Sequence, residues 1–132
     1  MRYMLDTNIC SYILKNRPLS VKAQFELVGT RALCISTVVL AELYYGAARH
    51  PRGPSIRQEI DDFVSRLAVI PWDETAADHY GHIRTAMEKD GTLIGAMDMM
   101  IAAHARSQGI TLVSNNTRHF EKVPGLLIAN WV

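Results

Sequence analysis

The chain has 132 residues, 48% of them hydrophobic and 20% charged, with a net charge of +1. That is enough chain for one sizeable core and too little for two, and it excludes disorder and low complexity. No apolar run approaches the roughly 18 residues of a membrane span, and a near-neutral balance leaves any nucleic-acid site to local clustering.

Arg2 to Leu5 reads as a first strand that stops abruptly at Asp6-Thr7-Asn8, and the helical spacing of Ile9, Tyr12 and Ile13 carries on to Asn16. Pro18 and Ser20 open a second helix through Val21, Phe25 and Val28, with Gly29 as its stop. Ala32 to Ile35 is a short β-type run, Ser36 is a candidate N-cap, and a third helix spans Thr37 to about Arg49. After a Pro- and Gly-rich loop, Ser55-Ile56-Arg57-Gln58 matches the capping-box pattern for a helix to about Leu67. Ala68 to Pro71 is a brief third strand.

Asp73 caps a long amphipathic helix using Ala76, Tyr80, Ile83 and Met87 and ending at Asp90-Gly91. A loop from Thr92 to Gly95 leads to a helix over Ala96 to Gln108, stopped by Gly109. Ile110 to Val113 is the most strand-like run; Ser114-Asn115-Asn116 breaks it, and Leu126 to Ile128 offers an edge strand. Strands alternating with helices predict a three-layer α/β/α fold around a central, mainly parallel sheet of four to five strands. No repeat or internal boundary interrupts it, so 1–132 is expected to be one domain. The start lacks a basic segment and a cleavage site, and Cys10 and Cys34 lack C-x-x-C spacing. The expectation is a cytoplasmic protein with two free core thiols.

Three acids stand alone in apolar surroundings. Asp6 ends the first strand, Glu42 is the only charge between Ser36 and Ala48, and Asp98 is the only one between Gly91 and Ala103. An ionised carboxylate in such a setting needs a partner. In a parallel sheet, ligands gather beyond the carboxyl ends of the strands, and helices leaving that rim begin beside the crevice. All three acids can converge there, with Asn116, just after the fourth strand, as a neutral oxygen donor. An oxygen-only set suits Mg²⁺ or Mn²⁺, the hard cations used beside phosphates. Singly, Asp6 serves equally well as a helix cap, and Asp98 as a charge favourable to a helix N-terminus. Glu42, mid-helix, has no such role and would otherwise need a buried cation.

Other residues carry less. Arg49 and Arg52, in a basic loop with His50, and Arg84 are candidates for nucleic-acid backbone contacts. His79 and His82 share a helical face but lack a third ligand at a telling distance. His104 reads as a satisfied interior or boundary histidine, and Trp72 and Trp131 as core or interface anchors. For Tyr44 and Tyr45, base stacking competes with burial, the commoner fate of helix aromatics.

Met4-Leu5-Asp6-Thr7-Asn8, Ile35-Ser36 leading to Ala41-Glu42-Leu43 and Gly46, Ile94-Gly95 leading to Asp98 and Ile101-Ala102-Ala103-His104-Ala105, and Val113-Ser114-Asn115-Asn116 with Phe120 together resemble the PIN-domain family, especially its VapC-type toxins. The match runs through nearly the whole chain in order. The resemblance implies a Mg²⁺-dependent endoribonuclease, with Mn²⁺ able to substitute. Asp6, Glu42 and Asp98 match the family's metal-binding acids. Asn116 stands where many members have a fourth Asp, which puts a second tightly held metal in doubt. Thr7, Asn8, Ser36 and Ser114 match polar residues that hold the acids in position. The resemblance further implies a homodimer, a tRNA substrate cut in the anticodon stem-loop, initiator tRNA in particular, and a VapB-type antitoxin that places a basic residue among the acids.

Two other readings compete. A receiver-like phosphotransfer domain also carries acids on its rim, but it wants an acidic pair after the first strand and a lysine after a late one, where this chain has Thr7-Asn8 and Ser114-Asn115-Asn116. A non-enzymatic module would use the same acids only to dock a basic segment.

Overall fold

The structure, a computed structural model, describes residues 1–132. Its centre is the first strand, β1 (Tyr3–Leu5), flanked by β2 (Leu33–Ser36) and β4 (Thr111–Val113). β3 (Ala68–Ile70) and β5 (Ile128–Ala129) are the edges of a five-stranded sheet in the order β3-β2-β1-β4-β5. Every pairing is parallel, with Met4 opposite both Cys34 and Leu112. Met4, Leu5, Leu33, Cys34, Ile35, Leu112 and Val113 are fully buried. Continuous apolar runs of this kind are what parallel strands covered on both faces require.

Helices α1 (Thr7–Lys15) and α2 (Leu19–Val28) lie between β1 and β2, and α3 (Thr37–Ala48) and α4 (Gly53–Val64) between β2 and β3. These four pack on one another. Between β3 and β4 come α5 (Glu74–Asp90) and α6 (Ala96–Gln108), which pair along their length. A single turn, α7 (Thr117–Phe120), connects β4 to β5. The chain winds outward from β1 in both directions, and right-handed crossovers put the two groups of helices on opposite faces. The result is the expected three-layer α/β/α architecture. No helix is long and apolar enough to cross a membrane.

Side chains expected to cap helices do so. Asp6 Oδ1 accepts from the Ile9 amide at 2.9 Å, Ser36 Oγ from Val38 at 3.0 Å, and Asp73 Oδ1 from Ala76 at 3.1 Å. The capping box at Ser55 does not form. Helix α4 starts earlier, at Gly53, with Arg52 as an N-cap that makes no side-chain bond. Pro54 near the first position presets the helical φ, and Gly53 lets the turn press onto the end of α3, where a Cβ would stand 2.5 Å from the Ala47 carbonyl oxygen.

Other expectations shift once the packing is seen. His104 is buried on the apolar inner face of α6, where neither ring nitrogen bonds another protein group; burial holds its pKa below the ordinary imidazole value. Tyr45 is 65% exposed rather than buried, with the Arg49 guanidinium 5.2 Å from its ring centre. Tyr44 donates to Asp61 at 2.8 Å under Arg57. Trp72 donates from Nε1 to the Met100 carbonyl at 2.9 Å, and Trp131 packs edge-on against Tyr3. Cys10 and Cys34 are buried free thiols.

Candidate active site

β1 is where the winding reverses: the chain after it turns to one face of the sheet, and the chain after its neighbour β4 to the other. The crevice of an open α/β sheet forms beyond the carboxyl ends of strands at such a point. Asp6 stands there, one residue past β1, its backbone amide still bonded to the Val113 carbonyl of β4 at 3.1 Å. Ser114 and Asn116 leave β4 beside it. Ser36 ends β2 on the same rim and starts α3, which carries Glu42, while Gly95 starts α6 with Asp98 in its first turn.

Asp6 lies within electrostatic reach of both other acids. Asp6 is 6% exposed, and its carboxyl pKa is raised above the ordinary 3.8. Burial is the main cause; the charges of Asp98 and Glu42 push the same way, and Ser114 and the Ile9 amide oppose them. Asp98 is also raised by burial, against the pull of His119. No Lys, Arg or His lies within ion-pair distance of Asp6 or Glu42. The cluster therefore holds more negative charge than its surroundings offset.

Polar neighbours fix part of this arrangement. Thr7 Oγ1 donates to Glu42 Oε1, joining the first turn of α1 to the middle of α3. Ser114 Oγ accepts from the Asn116 amide at 2.9 Å, and Ser36 is fully buried as the cap of α3. Asn8 is exposed and makes no side-chain bond to the acids.

His119, to which sequence reasoning gave no role, also belongs here. Its Nδ1 lies 2.7 Å from Asn116 Nδ2 and 3.8 Å from Asp98 Oδ2. With the amide as donor, the ring turns the Asn116 side chain, and its carbonyl oxygen with it. The only sequence signal was the three-residue spacing from Asn116, which becomes a contact when Thr117–Phe120 coils into α7.

The donors suit a hard cation: all are oxygens, and no lysine or arginine pairs with any of the three acids. As placed, no three His, Cys, Asp or Glu side chains close into a ligating group. The oxygen-only donor set is of the kind taken by Mg²⁺, which binds one or two carboxylates directly and keeps several waters, rather than by structural zinc, which takes Cys and His.

The basic candidates divide. Arg49 lines an open groove between α1, α3 and α4, together with Lys15, Thr7, Glu59 and one of the three acids, Glu42. Arg52 caps α4 nearby, its amide bonded to His50 Nδ1 at 3.0 Å. Arg84 sits on α5, which packs on α6 rather than on the sheet, and is engaged by Tyr80 at 2.8 Å and Glu88 at 3.6 Å. His79 accepts from Arg106 Nε at 2.8 Å while His82 bonds its own helix, so the two share no site.

Known proteins align along the whole length. The PIN-domain family model matches residues 3–126. The chain is 45% identical to the Haemophilus influenzae protein named Ribonuclease VapC2, over 100% of this chain and 99% of that one. It is also 45% identical to the Shigella flexneri tRNA(fMet)-specific endonuclease VapC, over 99% and 98% of the two chains. The fold superposes on a chain from the crystal structure of DNA-bound VapBC from Salmonella typhimurium with a TM-score of 0.95, at 41% identity and covering 100% and 99% of the two chains.

Proposed function

The chain belongs to the PIN-domain family, among its VapC ribonucleases, and on that premise we propose that it is the endoribonuclease toxin of a toxin–antitoxin pair. The single observation that carries the catalytic part is the gathering of Asp6, Glu42 and Asp98 at the reversal point of the sheet with no lysine or arginine paired to any of them. The substrate is RNA; the tRNA(fMet) specificity named for relatives favours initiator tRNA, cut in its anticodon stem-loop. A VapB-type antitoxin is the partner, as in the VapBC complexes whose fold this chain shares, and a cytoplasmic homodimer goes with that reading.

Asp6, Asp98 and Glu42 would hold Mg²⁺ or Mn²⁺, with Asn116 as a neutral oxygen beside them. When bound, the ion would orient a water, make it more acidic and offset charge on the phosphodiester. Thr7 keeps Glu42 turned toward the rim, Ser114 stands at Asp6, and His119 holds the Asn116 amide. Water attacks phosphorus in line, and the bond to the 3′ oxygen breaks, leaving 5′-phosphate and 3′-hydroxyl ends. Arg49 and Arg52 are placed for backbone contacts; they position the strand and specify nothing by themselves.

The deciding experiment incubates antitoxin-free protein with total RNA, with Mg²⁺ or with chelator, beside Asp98→Asn, and sequences the new 5′ ends. Discrete cuts that need both metal and Asp98 are expected. A folded protein that binds metal and cuts nothing would favour the non-enzymatic module instead.

A further inference from the structure

Three carboxylates at a cleavage site repel the polyanion they act on, so the RNA must be held by cations nearby. Four of the ten arginines are otherwise engaged: Arg57 with Asp61, Arg66 with Asp62, Arg84 with Glu88, and Arg106 with His79 and the Pro124 carbonyl. Among the cations left free, Arg118 and Lys122 share a groove with His119. Both are exposed, and neither has an ion pair or a side-chain hydrogen bond. They line one wall of a groove of about 480 Å³, with Glu121 and with His119 between them. His119 ties this groove to the acids through its contacts with Asn116 and Asp98. The facing wall is the loop between α5 and α6, which presents Ile94 and a 51% exposed Leu93. One wall offers cations and the other an apolar surface, matching the two chemistries of a nucleotide, phosphate and base.

We propose that this groove is a nucleotide subsite for the single-stranded RNA flanking the cut, with Arg118 and Lys122 on phosphates and Leu93 against a base. It rests on the nuclease reading above. This groove adjoins Asp98 through His119, whereas the groove of Lys15 and Arg49 includes Glu42, so the two grooves meet different acids of the site.

The test measures cleavage of a defined RNA hairpin by wild type, Arg118→Ala/Lys122→Ala, the charge-conserving Arg118→Lys/Lys122→Arg, and Leu93→Ser, over a range of salt. For the double alanine variant, KM rises about tenfold or more while kcat stays within about twofold. Its log(kcat/KM) depends less steeply on log salt, by about 0.7 to 0.9 per lost phosphate contact. The charge-conserving variant stays near wild type, and Leu93→Ser raises KM without altering the salt slope. Shortening the RNA on one side of the cut removes the penalty of the double variant; shortening it on the other leaves it. Unchanged KM and salt slope in the double alanine variant, with wild type active, would overturn the subsite and leave the nuclease standing. A wild type that cuts no RNA would overturn both.

Discussion

The Thr7 hydroxyl donates to the Glu42 carboxylate across 35 positions of sequence. One bond thus fixes an acid in the middle of α3 relative to the helix that follows Asp6. Thr7→Val, nearly isosteric, removes the donor and leaves Glu42 free to rotate. Cleavage should fall by about 10–100-fold, the usual cost of losing an outer partner at a metal site. Thr7→Ser should restore most of it. Both variants should keep the wild-type far-ultraviolet circular dichroism spectrum, and the comparison of their initial rates is the check.

Asp6 and Asp98 both have pKa values above the 3.8 of a free carboxyl, mainly through burial. The folded chain therefore binds protons more tightly than the unfolded one. Without metal, these groups lower stability as pH rises from 3.8 through the raised values, and the loss persists at neutral pH. Asp6→Asn keeps a capping acceptor and removes the charge. In chelator, its Tm should exceed that of wild type at pH 7, with the gap closing as pH falls toward 4 (differential scanning calorimetry). Added Mg²⁺ should raise the wild-type Tm and close the gap from the other side. Cleavage by the same variant should drop beyond the about 100-fold reached by outer partners.

Gly53 meets the backbone at the end of α3, where an added Cβ would lie 2.5 Å from the Ala47 carbonyl oxygen. The obstacle is main chain, so it cannot rotate away. Gly53→Ala should cost about 1–3 kcal/mol in urea unfolding, the range for overpacking. Gly46→Ala, on α3 with open space around the new Cβ, should cost far less or stabilise the helix slightly.

Cys10 and Cys34 are buried, and burial pushes the Cys34 thiol up to about 11 and Cys10 well above its ordinary value. Little thiolate exists at neutral pH, and reagent cannot reach it. Neither cysteine should react with Ellman's reagent in native buffer at pH 8, and both should react in denaturant. Fast labelling of either in folded protein would contradict the packing of β1, α1 and β2.

The sequence alone determined most of the scaffold, for a local reason. Apolar strands buried on both faces, Asp6, Ser36 and Asp73 as caps, and Gly109 as a stop are all written within a few residues of where they act. The isolation of Asp6, Glu42 and Asp98 was legible too, because an unpaired charge in an apolar run is costly wherever the chain goes. Tertiary structure decided what depends on distant partners. The Thr7–Glu42 bond, the groove shared by Lys15 and Arg49, and the press of Gly53 on Ala47 exist only because α1, α3 and α4 pack together. The last of these moved the start of α4 ahead of the Ser55 capping box. The role of His119 needed α7 to coil beside the first turn of α6, and His104 has no protein partner because that helix turns an apolar face inward. Periodicity and caps are encoded by near neighbours, whereas a hydrogen bond between helices is set by how the sheet and its crossovers bring those helices side by side.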